Sequence, residues 1–362
     1  MRQPLTILPP ADSGEPETPA DETKAIVNLG DDSFSVDENG VHINYTDSSL
    51  TDFYWDGTTN LTIADEAVIT ITKPYTQKAN LTISANAKIV AENGTKVTVT
   101  DSESAFIIKN GAQVEMSYVN IERNVGVNSH NLILVDGATL TCVNVSILED
   151  DRGVFEITNN GQLVMEGDET VILSNASSEH GRPIFDNVYG TVTIKGGKYT
   201  RTGNSGQIIG NGMKKGTSTA YIMGGELINP KGTTDTVANG TIVMTGGSIT
   251  SPKAAAIRTG KAGDKVTVTG GTIHDSAIAV RLGRNNSAAA GEVIIGGDVS
   301  FSGNTVDIYL SKKSNVFTLR DDFTGRMSVK SGETLAVNEK LPITTDGTAK
   351  QMRAHVYADS KV

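Results

Sequence analysis

Hydrophobic residues in this chain alternate with threonine over short runs and then stop at glycine. Val266-Thr267-Val268-Thr269-Gly270-Gly271-Thr272-Ile273 shows the unit in full, and variants recur from Val192 to Tyr199, Tyr221 to Ile228, Ile242 to Ile249 and Val293 to Val299. The first glycine of each pair stands at 196, 224, 246, 270 and 296, in steps of 28, 22, 24 and 26 residues. Strand side chains point to opposite faces in turn, so the two valines face one way and the threonines the other. The glycine pair then turns the chain where positive φ or close backbone approach is required, and Ile273 resumes the inward phase. A repeat of this length predicts a solenoid in which each coil packs only on its neighbours.

The same alternation continues towards the N-terminus without the double glycine. Leu61-Thr62-Ile63, Val68-Ile69-Thr70-Ile71, Leu81-Thr82-Ile83, Val97-Thr98-Val99 and Phe106-Ile107-Ile108 read as strands. A second signature, Asn110-Gly111, Asp136-Gly137 and Asn160-Gly161, repeats in steps of 26 and 24, which predicts one coil length for the whole array. The expected fold is therefore all-β: a single right-handed parallel β-helix of about a dozen coils, roughly 60 Å long at about 4.8 Å per coil. Residues 1–24, acidic and proline-rich, read as a disordered linker. Residues 25–57, alternating and aromatic, read as an N-terminal cap and first coil, because an open solenoid end exposes core and strand edges. Residues 58–330 form the helix, and 331–362 read as a C-terminal cap or the truncated start of a next module.

Composition narrows the partners. The net charge is −11 with no block of Lys or Arg, which argues against nucleic acid, whose phosphates need clustered cations. No run approaches the roughly 20 apolar residues that span a bilayer. The single cysteine, Cys142, lies between Thr141 and Val143 with no Cys or His at metal-ligand spacing, and reads as a small buried side chain.

The Gly-Gly-x-Ile turns, followed by Asp298-Val299-Ser300-Phe301-Ser302-Gly303-Asn304-Thr305-Val306-Asp307-Ile308-Tyr309-Leu310, resemble adhesin-like surface proteins of Gram-positive gut bacteria. Those proteins are right-handed parallel β-helices of the pectate-lyase-like superfamily. The likeness covers about residues 60 to 330, and Phe323-Thr324-Gly325-Arg326-Met327-Ser328-Val329 matches the strand that closes such helices. It implies a secreted or cell-surface location, a host glycan or glycoprotein as partner, no cofactor, and a monomer, or a trimer if the chain is a phage fibre.

Some β-helices degrade pectin, so acid/base chemistry has to be sought. Polygalacturonase-like sites use several aspartates on one face with Gly-His-Gly and Arg-x-Lys segments. This chain has Glu149-Asp150-Asp151-Arg152 and, about one coil later, Glu179-His180-Gly181-Arg182. Asp150, Asp151, His180 and Arg182 are thus the candidate catalytic residues, since carboxylates and a histidine suit general acid/base work at a glycosidic bond. Glu179 replaces the first glycine, and Arg-x-Lys is absent. Glu149, Asp150 and Asp151 offer oxygen ligands, yet no calcium-loop motif accompanies them, so no metal site is expected. The other histidines, His42, His130, His274 and His355, stand singly. In the aromatic first coils, Tyr54 and Trp55 are candidate sugar-stacking residues. The expected function is a non-enzymatic adhesin or stalk, with a polysaccharide-degrading enzyme and a phage receptor-binding fibre or tailspike as the alternatives.

Overall fold

A computed structural model describes residues 41–100, 103–123, 130–150, 153–175, 182–187, 189–204, 206–211, 218–283, 291–312, 314–333, 343–345 and 356–358. The linker 1–24, the first part of the 25–57 segment and most of 331–362 lie outside the described residues.

The chain is a parallel β-solenoid with three ladders of stacked strands. The first runs through Ala67–Ile71, Ala87–Ala91, Gln113–Ser117 and Thr139–Val143 to Ile343–Thr345. The second runs from Tyr75–Gln77 through Lys96–Val99 and Asn120–Arg123 to Ser300–Ser302. The third is a separate 13-stranded sheet from Leu61–Ile63 to Val356–Ala358. The first two merge into a 22-stranded sheet, because Thr241–Thr250 and Lys265–His274 each run through the corner between them as one strand of 10 residues. About nine turns are complete, fewer than the dozen expected. Among the described residues the second ladder ends at Ser300–Ser302, while the first and third continue beyond it.

The core consists of side chains stacked on their equivalents. In the first ladder, strand register aligns Ile69, Ile89, Met116, Cys142, Met165, Ile194, Ile222, Met244, Val268 and Ile295, all at 0% exposure. In the third, Leu81, Phe106, Ile133, Phe155, Phe185 and Ile209 form another column, with the Phe155 and Phe185 rings stacked at 5.4 Å. The inward phase read from sequence holds: Val266, Val268 and Ile273 are buried.

The two glycines of each pair have different tasks. The second of each pair has positive φ, for example +75° at Gly247 and +81° at Gly271. The first lies against the preceding coil: a Cβ on Gly246 would come 2.2 Å from the Met223 carbonyl oxygen. The Asn-Gly signature marks another corner, from the third ladder back to the first, where Asn110 and Gly111 have φ of 60° and 76°. Both signatures share a period because each coil passes both corners once.

At the N-terminal end Val41–Tyr45 lies antiparallel on Ala67–Ile71, and Phe53–Trp55 pairs antiparallel with it in turn. This covers the edge that the first parallel strand would otherwise present to solvent.

Two outcomes follow. Gly247→Ala, strained in φ and blocked by the Gly224 carbonyl 2.5 Å away, is expected to cost about 2–4 kcal/mol. Gly94→Ala, at φ +66° with nothing within 4 Å, should cost only about 1 kcal/mol in the same urea titration. Burial pushes the Cys142 thiol well above its ordinary pKa, so a thiol reagent is expected to leave it unmodified in the native protein and to label it fully in denaturant.

Candidate functional site

On the outer face of the first ladder, near its N-terminal end, two columns of polar side chains stand side by side. Successive strands bring Val68, Lys88, Glu115 and Thr141 into one column. Two residues earlier, on the same face, come Glu66 and Asn86, just ahead of their strands, and Gln113 and Thr139. Between them lies a shallow cavity of about 320 Å³, whose polar lining includes Thr46, Glu66, Asn86, Lys88, Gln113 and Glu115, with half-buried Val68 beside them and the buried Ala67, Ala87 and Val114 at its floor.

The strands hold these groups in fixed relation. Asn86 Oδ1 accepts the Gln113 backbone N–H at 3.0 Å, and the Thr46 hydroxyl donates to the Glu66 carbonyl at 3.2 Å, closing the N-terminal wall. Glu115 accepts from the Ser117 hydroxyl at 3.0 Å. Donors and acceptors therefore repeat every rung, about 4.8 Å apart. Such a surface can bind a ligand rich in hydroxyl groups. Sequence reading missed the groove because Asn86, Lys88, Gln113 and Glu115 are ordinary outward residues, and only the coil register brings them together.

The residues singled out from sequence have other roles. Trp55 is 1% exposed, donates its indole N–H to the Thr59 carbonyl at 2.8 Å and meets the Tyr75 ring edge-on. It shares the inward phase with Phe53, so the expected stacking platform is corrected here: this ring belongs to the core. Tyr54 is half-buried, with one face stacked on His42 at 4.4 Å.

Of the proposed catalytic set, Asp151 and His180 lie outside the described residues. Asp150 is exposed and accepts from the Asn175 amide at 2.8 Å. Arg182 donates to Asp186 at 2.7 Å, which makes it the partner of a carboxylate on the third ladder. Its Cβ lies near Gly153, at the corner after Asp150, so neighbouring coils do bring these segments close.

Glu149, considered as an oxygen ligand, is fully buried. Its Oε2 accepts from Arg123 Nε at 2.7 Å, both side chains being 0% exposed. Arg123 also donates to the Glu103 and His130 carbonyls. Register extends this interior polar column through Ser174 to Arg201, which donates to the Ser174 hydroxyl at 3.1 Å. Burial pushes the Arg201 guanidinium down to about 10. The unfolded chain thus binds more protons between that value and the ordinary one, so this penalty on the folded state eases as pH rises past 10. Glu149 ends the strand Ser146–Glu149 in phase with buried Ile147, a signal that was present in the sequence. Among the described residues no group of three His, Cys, Asp or Glu is placed to hold a metal ion, and no helix is long and apolar enough to cross a membrane.

Removing Glu149 would strand a buried guanidinium, so Glu149→Ala is expected to cost about 3–5 kcal/mol. Asp150→Ala, one residue on, should cost less than about 1 kcal/mol by the same denaturant titration. Comparisons with protein-family models, curated proteins and solved structures returned no match.

Proposed function

We infer that this chain is a non-enzymatic extracellular rod, displayed on a cell surface as an adhesin or stalk, which binds host glycan or glycoprotein along one face of the β-helix. The observation that carries this reading is the groove on the first ladder. Its carboxylates, ammonium and amides stand in two columns at rung spacing, with half-buried Val68 at the N-terminal end of one of them. A glycan laid across the rungs meets hydrogen-bonding groups on successive rungs, and Val68 offers an apolar patch to the face of a sugar ring. The strands that present these groups are locked between neighbours on both sides, so little ordering is left to binding.

Resemblance to right-handed adhesin-like β-helices agrees with this reading, as does the antiparallel cap, which leaves the outer faces for recognition.

Glycan-array screening followed by calorimetry tests the idea. The variant carrying Gln113→Ala and Glu115→Ala is expected to lose at least about tenfold in affinity for whichever host glycan binds, with an unchanged circular dichroism spectrum. Undiminished binding by that variant would remove the groove from the account. Failure to bind any glycan, together with release of reducing ends from polygalacturonate, would replace it with the enzyme reading.

A further inference from the structure

On the outer face of the third ladder one tripeptide pattern returns four times: Ala256-Ile257-Arg258, Ala279-Val280-Arg281, Asp307-Ile308-Tyr309 and Ser328-Val329-Lys330. The middle residue of each is buried in the core. Register sets the last residues on successive rungs, Arg258 beside Arg281, Arg281 beside Tyr309, and Tyr309 beside Lys330. Two guanidinium groups, a phenol ring and an ammonium thus form a row about 14 Å long, parallel to the solenoid axis.

One carboxylate, Asp235, faces the two arginines of the row. Asp235 takes the Nε–H of Arg258 on one carboxylate oxygen, and its other oxygen accepts the Ala255 backbone N–H at 3.2 Å. Arg281 Nη1 stands 3.9 Å from the same carboxylate, beyond hydrogen-bond reach. One carboxylate therefore serves two guanidinium groups and is engaged by the first.

Arg281 is held in place without its hydrogen bonds being made. Its Cζ lies 5.6 Å from the centre of the Tyr309 ring, a cation–π contact between neighbouring rungs. A guanidinium has five N–H donors, and among the described residues none of those on Arg281 reaches an acceptor. Its Nε is shielded from solvent, as is Nη1 of Arg258, a side chain only 5% exposed. Buried donors in folded proteins nearly always have partners. Two such donors on adjacent rungs have no partner among the described residues, and Arg281, with 29% of its side chain exposed, is the one a ligand can reach.

We propose that this row binds the sulfate or carboxylate groups of an acidic polysaccharide lying along the solenoid axis. A planar guanidinium donates two parallel hydrogen bonds to such an anion, which an isolated ammonium cannot do. A polymer suits the row better than a free anion, because its cations recur along the axis on either side of the Tyr309 ring, against which a sugar can pack. The chain as a whole carries −11, so its general field repels polyanions and binding has to come from local groups of cations such as this one. The site lies on the third ladder and the groove on the first, so this inference goes beyond the function proposed above, and either can fail without the other.

The test is calorimetric titration at 0.05 and 0.15 M salt with three probes: a heparin-derived octasaccharide, a hyaluronan octasaccharide and neutral maltooctaose. Binding of heparin alone would identify sulfate as the recognised group, and binding of both acidic probes would show that carboxylate suffices; either supports the row. Arg281→Ala is expected to weaken that binding about tenfold or more, Arg281→Lys by less, and both should weaken as salt rises. Lys198→Ala, an exposed cation on the second ladder, and the Gln113→Ala, Glu115→Ala groove variant should leave acidic-probe binding unchanged. Thermal melts confirm that each variant is folded. The proposal is overturned if neither acidic probe binds, if Arg281→Ala weakens binding of maltooctaose as much as that of the acidic probes, if folded Arg281→Ala and Arg281→Lys both match the wild type, or if Lys198→Ala weakens binding equally.

Discussion

Backbone hydrogen bonds between successive coils hold this molecule together, and everything else depends on their register. Each strand of the first ladder gives its N–H and C=O groups to the coils on either side, so Met116 is aligned with Ile89 before it and Cys142 after it. A slip of one residue would turn a whole inward column out to solvent. The glycine pairs protect that register. Their close approach to the preceding coil leaves no room for a Cβ: one added to Gly224 would lie 2.1 Å from the Lys195 carbonyl oxygen. Burial of the columns then supplies the driving force, at roughly 25 cal/mol per Å² of apolar surface.

The same register builds the outer surface. What stands on a face is decided one coil at a time, yet what a ligand meets is a column, one residue from each coil. The groove around Asn86 and Gln113 and the row from Arg258 to Lys330 are both of this kind. Neither exists within any single coil. A rod of this design can change its recognition by substituting outward residues while the inward columns stay as they are, which separates stability from binding more cleanly than a globular core does.

Much of the fold was legible in the sequence, because the alternation of valine with threonine and the recurring glycines report phase and period directly. The inward positions Val266, Val268 and Ile273 and the strands at Leu61, Leu81 and Phe106 follow from that pattern alone. The sites were less legible. Acidic residues around position 150 looked like solvated turns or catalysts, but Glu149 continues the phase of its strand and is buried on Arg123. Trp55 looked like an exposed aromatic and shares its inward phase with Phe53. The row on the third ladder left a trace, the repeated small residue, β-branched residue and cation or aromatic, spaced unevenly because the intervening corners differ in length. Periodicity in one dimension shows which residues face out; which of them become neighbours requires the pairing of each coil with the next.

Distances between outward positions in one column measure that pairing most directly. Thr141 and Thr267 are linked through Val164, Thr193, Tyr221 and Val243, five rungs apart on the first ladder. Spin labels attached at both positions are predicted to give a narrow dipolar distance distribution whose backbone component is about 24 Å, five steps of about 4.8 Å. A broad distribution, or a mean displaced by more than one rung after allowance for the label arms, would contradict the stacked register on which the fold and both binding surfaces rest.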